Sequence, residues 1–272
     1  MFVNLIRINT LKFRKSSFFR WGAIVTLSVM IAFCAIYYFT MTINSDLEMT
    51  KDTWRDGRDI ELAWHLLFLH TSRFIVQIFY SICAIVMVCE HYSVREMINI
   101  RGMVNSNVKW FYAEVCGVMI YALPFGIFPL LAGDIPAKIY GLDFAIFNGD
   151  WINTLLLYLG SILYLIFAML PAIVIAKIFR RTAVSLSAYA VFSVLNLLLG
   201  VVADALAEEF LNRATKDDSF SGTIINPASW LLDYQIDGKA DMSFTMAMIC
   251  LVIYAVIWLG IGTLASMRRN EL

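Results

Sequence analysis

Few side chains in this sequence have the types and spacing that bind metals. Glu61 and His65 stand four residues apart, which places both on one face of a helix, and His70 follows close by. A zinc site takes more ligands than this group supplies. We therefore predict that the three residues belong to a segment at the membrane interface and that the chain binds no metal.

A second group has the spacing Glu-Glu-x-x-x-Arg and consists of Glu208, Glu209 and Arg213. This spacing is similar to the first motif of intramembrane CAAX-type proteases, which also need histidines further along the chain to position a metal ion or a water molecule. All three histidines of this sequence precede the motif. We therefore expect no protease activity and assign no catalytic residue.

The sequence has no phosphate-binding loop. Such a loop is rich in glycine and ends in Lys and Ser or Thr, and its backbone amides hold the phosphates. The pair Gly238 and Lys239 lacks the upstream glycine and is followed by Ala240. The chain is therefore expected not to hydrolyse ATP by itself and to bind no cofactor of its own.

The composition excludes a water-soluble globule. Hydrophobic residues make up 60% of the 272 residues and charged residues only 15%, whereas soluble domains have about 45–50% apolar and about 25% charged residues. The formal net charge is zero, so the chain lacks the positive field that would hold a nucleic acid. These values predict an integral membrane protein in contact with lipid.

Long uncharged runs predict the membrane-spanning helices, because a helix needs about 20 mostly apolar residues to cross the hydrocarbon core. The predicted fold is a single all-α transmembrane domain over residues 1–272, with six spans. The spans lie at about 22–43, 68–90, 110–132, 152–176, 183–203 and 243–267.

Positive charge predicts the orientation of these spans. The N-terminal segment, the loops after the second and fourth spans and the C-terminal segment carry 13 of the 21 Lys and Arg residues, although they are the shorter segments. Lys and Arg near helix ends stay on the cytoplasmic side. Both termini and the loops 92–108 and 177–183 are therefore expected in the cytoplasm.

Residues 1–20 combine apolar and basic side chains ahead of the first span. This pattern predicts an amphipathic helix at the cytoplasmic interface, with its apolar side in lipid and its basic side toward anionic headgroups. A basic flank that only sets the orientation of the first span is the alternative.

The loop after the second span also has a helical pattern. Val94, Met97, Ile98 and Arg101 follow the spacing i, i+3, i+4, i+7, which predicts a short amphipathic helix on the cytoplasmic side. Periodicity alone leaves two interpretations open, an ordinary interfacial connector and a helix that docks on a partner.

The order of these features resembles that of an ABC-2 type permease, the membrane half of an ATP-driven exporter. Glu90 closes the second span, the segment 93–105 follows, and Lys109 precedes the third span, as is common in this family. Residues 158–200 are similar too, with a short basic turn at 177–183. Within the family, the chain resembles small six-span permeases of bacterial antimicrobial-peptide (lantibiotic) immunity exporters.

This resemblance implies partners and a location. The chain would lie in the bacterial cytoplasmic membrane, pair with a second permease chain of the same or another kind, and bind two copies of an ATPase subunit that holds ATP and Mg²⁺. The exported substrate would be an amphipathic peptide or a lipid-like molecule. Export of drugs, lipids or polysaccharides is the alternative, and a membrane scaffold or regulatory subunit without transport is a second one.

The resemblance also implies a docking element, the coupling helix at 92–105. An amphipathic helix laid in a groove uses its apolar residues as anchors, and flanking charges fix its register. The expected anchors and flanking residues are Val94, Met97, Ile98, Arg95, Glu96 and Arg101.

Two ionisable residues are predicted inside spans, where such side chains are energetically costly. Arg73 lies about one turn below the outer interface, and its long side chain is expected to reach the headgroups. Glu114 lies about one turn into the third span and is expected to meet Lys109, Arg95 or the N-terminal helix.

The outer segment 204–241 is long and acidic, and its part 224–233 is apolar enough to return to the interface. Irregular backbone at that depth is tolerated only against protein or water. We therefore predict an outer gate in this segment that includes Pro227 and Trp230.

Overall fold

The computed structural model describes residues 2–16, 75–92, 106–125, 151–211 and 244–267, and, between 20 and 39, residues 20, 21, 24, 25, 27–29, 31, 32, 35, 36 and 39. These residues form seven helices and no strand, so the predicted all-α class is confirmed for the described part of the chain. The helices are α1 (Phe2–Lys15), α2 (the helical residues between 20 and 39), α3 (Ile75–Glu90), α4 (Asn107–Phe125), α5 (Trp151–Phe179), α6 (Thr182–Leu211) and α7 (Phe244–Met267).

Each of the helices α2 to α7 overlaps one of the predicted spans in the sequence, which shows helices at these places and leaves six membrane crossings a prediction. The largest difference is in α6, which continues to Leu211 although the predicted span ends near 203. The extra residues include Ala, Leu and Glu, which favour helix without needing to lie in a membrane. The run of uncharged residues therefore marks the apolar part of α6 and not the end of the helix.

Two helices are long and apolar enough to cross a membrane, judged by length and composition alone: Tyr158–Phe179 in α5 and Ile249–Met267 in α7. The core helix of a soluble protein passes the same test, and Tyr158–Phe179 is mostly buried. Most of Ile249–Met267 is not buried, and it exposes Val252, Val256 and Ile257. Because an apolar surface of this extent needs lipid or protein to cover it, α7 favours a membrane protein.

The helix α5 lies at the centre of the bundle and packs against α4, α6 and α7. Its side chains Leu165, Met169 and Ile173 are completely enclosed. Pro171 lies inside this helix, where neighbouring helices can compensate for the missing backbone donor. The apolar core of the described bundle is built around this helix.

Hydroxyl groups join α3 to its neighbours. Tyr80 of α3 donates a hydrogen bond from Oη to the carbonyl of Val118 in α4, at 3.3 Å. Tyr189 of α6 donates from Oη to Oγ of Ser81, at 2.9 Å. These bonds fix how the three helices are rotated against one another, because each requires one particular face of each helix.

One end of the bundle contains the C-termini of α3, α5 and α7 and the N-termini of α4 and α6. We call it the shared end. Sγ of Cys89 lies 3.5 Å from Oγ of Ser185, and Oη of Tyr112 lies 3.1 Å from Oγ1 of Thr263. The distribution of Lys and Arg predicts that the loops next to these helix ends all lie on the cytoplasmic side. The structure brings these helix ends together.

The helix α1 packs along α4 from the shared end. Leu5 is buried beside Trp110 and Ala113, and Tyr121 donates a hydrogen bond from Oη to the carbonyl of Thr10, at 2.7 Å. The prediction that the apolar side of this segment faces lipid is therefore wrong for Leu5, which α4 covers. A hydrophobic pattern in the sequence cannot distinguish a helix face in lipid from a helix face packed on another helix, because both surroundings are apolar.

Close packing of α7 on α4 makes a direct test of the fold possible. A methyl group on Gly262 would overlap the ring of Phe111, 2.8 Å from Cε1 and Cε2, whereas Gly260 faces open space. We expect Gly262→Ala to lower the free energy of unfolding by about 1–3 kcal/mol through overpacking. Gly260→Ala should leave it unchanged or raise it slightly, because Ala favours helix.

Thermal unfolding of the purified variants in detergent measures both effects. Phe111→Leu combined with Gly262→Ala should recover part of the loss by making room for the methyl group. Equal melting temperatures for the two alanine variants would contradict this packing of α7 on α4.

Candidate functional site

The helix α4 carries a buried carboxylate about two turns from its start. Ser106 stands directly before the helix, where Ser is a favoured residue because its hydroxyl can accept from a free backbone amide. Trp110 and Glu114 follow at a spacing of four, so they share one face of α4. Glu114 has no solvent-exposed surface and Trp110 is 5% exposed.

Three donors from three elements hold the Glu114 carboxylate. Oε1 accepts a hydrogen bond from Nε1 of Trp110 at 2.6 Å and lies 3.0 Å from Nδ1 of His91. Oε2 accepts from Nζ of Lys177 at 3.0 Å. Because a carboxylate only accepts hydrogen bonds, this geometry requires a proton on Nδ1 of His91. We call His91, Trp110, Glu114 and Lys177 the Glu114 cluster.

Aromatic rings surround the same charges. The rings of His91 and Trp110 meet edge to face, with centroids 5.4 Å apart. Nζ of Lys177 lies 5.2 Å from the ring centroid of Tyr92, and the guanidinium carbon of Arg180 lies 4.8 Å from it. Both distances are within the range of cation–π attraction.

The position of Arg180 follows from the way α5 ends. Arg180 has φ of 56°, the left-handed conformation that glycine usually adopts after a helix. A side chain with a Cβ is less favoured there, and the contact of the guanidinium with Tyr92 compensates for this. The turn between α5 and α6 is therefore held against the end of α3.

The chemistry of the Glu114 cluster is suited to holding the ends of α3 and α5 against α4. The negative charge of Glu114 and the positive charge of Lys177 balance each other in a place without water, where paired charges interact strongly. Every donor on the carboxylate comes from the protein, and neither oxygen is open to solvent. Such a carboxylate is poorly placed to act as a base or nucleophile, and it is well placed to tie helices together.

Only Glu114 among the predicted site residues lies in the described part of the chain. The coupling-helix residues Val94, Arg95, Glu96, Met97, Ile98 and Arg101 lie outside it, as do Arg73, Pro227 and Trp230. The candidate metal residues Glu61, His65 and His70 also lie outside the described ranges.

The prediction that Glu114 meets Lys109, Arg95 or the N-terminal helix is wrong for Lys109. Lys109 is exposed and does not reach the carboxylate. It stands five residues before Glu114, and residues five apart point in different directions on a helix, whereas Trp110 at four residues is aligned. Glu90, which the ABC-2 resemblance emphasises, is exposed at the end of α3.

Sequence reasoning missed His91 and Lys177 as partners of Glu114. A usable signal was present, because the predicted topology puts residues 91, 114 and 177 at the same side of the membrane. A carboxylate inside a span needs a cation, and Lys177 is the basic residue of the turn 177–183 that stands directly after the end of a predicted span. The tilt and rotation of the helices decide the pairing, and these are not visible in periodicity.

The protease-like acids lie at the other end of α6. Glu208 and Glu209 stand more than 20 residues beyond Ser185, about 35 Å along the helix, and Arg213 is outside the described residues. His91 contacts Glu114 at the shared end. The one histidine in the described ranges is therefore far from these acids.

Comparison with known proteins gives no match: no protein-family model, no curated protein and no solved structure is similar to this chain. The resemblance to ABC-2 permeases therefore rests on the order of features in the sequence.

Removing the charge of Glu114 tests whether the cluster holds the bundle together. Glu114→Gln keeps the shape but leaves Lys177 as an uncompensated buried charge, and breaking a buried pair in this way costs about 3–5 kcal/mol. We expect a large drop in melting temperature. Glu90→Gln is the matched control at an exposed site and should melt like the wild type. Similar melting of the two variants would contradict the buried pair.

Proposed function

We propose that this protein is the membrane-spanning permease subunit of an ATP-driven exporter of the ABC-2 type. The observation that carries the proposal is the arrangement of the shared end. His91 and Tyr92 precede the amphipathic segment 93–105 and Trp110 follows it, and all three belong to one buried network with the end of α5. A segment anchored on both sides can transmit a push from a cytoplasmic partner to the helices.

The outer surface of the bundle also supports a membrane subunit. Along α6, Val191, Val194, Leu195 and Leu198 recur on one face, and more than half of each side chain's surface is exposed. With α7, this gives the bundle an apolar flank that suits lipid or a second permease chain. Among the contacts described, the buried ion pairs between elements lie at the shared end.

The energy source is proposed to be a separate chain, because the sequence lacks a phosphate-binding loop. Two ATPase subunits with ATP and Mg²⁺ would bind a dimer of permease chains in the bacterial cytoplasmic membrane. The proposed cargo is an amphipathic peptide or lipid-like molecule, as in antimicrobial-peptide immunity. Residues 224–233, with Pro227 and Trp230, are proposed to form the outer gate.

Docking through the coupling helix predicts a specific loss of binding. Replacing Met97 and Ile98 by Asp should release an ATPase encoded beside this chain, because burying these two side chains contributes about 1.5–3 kcal/mol each before ordering is counted. Asn99→Asp adds one negative charge, against two in the double variant, on the opposite face of the predicted helix and should leave the complex intact. Co-purification from detergent extracts measures the outcome.

A double variant that retains the ATPase and the wild-type ATP turnover would refute docking through this helix. Loss of the ATPase in the Asn99→Asp control as well would point to general damage of the loop, so the comparison between the two variants decides.

The proposed orientation predicts which loops an impermeant reagent reaches. Asp52→Cys and Asp217→Cys, each in a chain without its five native cysteines, should react with a membrane-impermeant maleimide in intact cells, because both loops are expected outside. Ser93→Cys should react only after the membrane is opened. Protection of both outer positions in intact cells would overturn the orientation.

A further inference from the structure

We infer that Glu114 is the residue that passes movement of the coupling segment 93–105 on to α5 and α6. One oxygen of its carboxylate contacts His91 and Trp110, which flank the segment, and the other contacts Lys177 at the end of α5. This inference rests on the proposed function and names a positioning residue for it. It assigns Glu114 no contact with ATP or with cargo.

Residues on both sides of the coupling segment contact this carboxylate. His91 lies two residues before position 93, and Trp110 follows position 105 by little more than one turn of α4, and both contact Oε1. The chain before the segment and the chain after it are therefore held together through Oε1 of Glu114. A force on the segment reaches α3 and α4 together.

The second oxygen extends this loop to α5. Nζ of Lys177 contacts Oε2 at 3.0 Å, three residues before Arg180, where α5 has ended. Lys177 and Arg180 also lie over Tyr92, the last described residue before the segment. Since only Arg180 and Arg181 separate α5 from α6, the start of α6 must follow the end of α5.

Burial makes this connection stiff. Glu114 is completely enclosed and Lys177 is 4% exposed, so water cannot replace either partner when the helices are pushed. Charge-assisted hydrogen bonds are stronger than neutral ones. The other described bonds of α3 to its neighbours, such as Tyr80 to Val118, are between neutral groups. Among the hydrogen bonds described between these elements, those of Glu114 are the ones that a buried charge pair reinforces.

Hydrogen exchange in the assembled complex tests the inference. The full chain with its ATPase is placed in lipid nanodiscs, and Mg-ATP with orthovanadate serves as the probe. Deuterium uptake is measured in peptides covering 91–110, which report docking, and 177–190, which report transmission. In the wild type we expect trapped nucleotide to change uptake in both regions.

The decisive variant is Glu114→Gln with Lys177→Met, which removes both charges while the new amide side chain can still contact Trp110 and His91. The nucleotide response at 91–110 should persist, and the response at 177–190 should fall about fivefold or more, within the range of coupling between distant sites. Lys177→Arg, which keeps the charge, should retain both responses. Tyr158→Phe is the matched control, because it removes a hydrogen bond between α5 and α4 at the opposite end.

Each outcome has a definite meaning. A double variant that responds like the wild type in both regions overturns the role of Glu114 and leaves the proposed function standing. A double variant that loses both responses, while Tyr158→Phe keeps them, overturns a role limited to transmission. A wild-type chain that holds no ATPase and shows no response at 91–110 overturns the proposed function, and this inference with it.

Discussion

A carboxylate without access to water must find its hydrogen-bond donors and its counter-charge inside the protein. Glu114 meets this requirement with groups from three elements, the end of α3, the first turns of α4 and the end of α5. None of these elements can shift far without exposing or unpairing a charge. The arrangement of the helix ends around the shared end is therefore constrained by one side chain more than by any single apolar contact.

Apolar packing keeps this site dry. Phe111 and Ala113, which flank Trp110 and Glu114 on α4, are completely buried, and Gly262 of α7 lies so close to Phe111 that no side chain fits between them. Water excluded in this way cannot screen the pair of Glu114 and Lys177, so their attraction stays strong. The tight contact of α7 on α4 thus supports the ion pair of Glu114 and Lys177. Among the contacts described, α7 contributes no charged group to this pair.

The parts of the fold that depend on local pattern could be predicted, and those that depend on how helices are rotated could not. Uncharged runs predicted helices that overlap α4, α5 and α7, because length and hydropathy act along a single helix. Leu5 was assigned to lipid although α4 covers it, since both surroundings are apolar. Glu114 was predicted to be an ionisable group in a span, yet its partners His91 and Lys177 come from the ends of α3 and α5, whose facing is set by tertiary contacts such as Tyr189 to Ser81.

The location of the polar contacts connects the fold to the proposed mechanism. If the stiff contacts were spread along the helices, α6 could not move as a unit relative to its neighbours. Instead, α6 is tied over its first two turns, through Ser185, Tyr189 and the short turn at Arg180, and from Val191 to Val202 it presents exposed aliphatic side chains on one face. Contacts between aliphatic groups have no fixed direction, so that part of the helix can slide against lipid or a partner at little energetic cost. The proposed mechanism would use α6 as a lever, attached over its first turns and able to slide along its exposed aliphatic face.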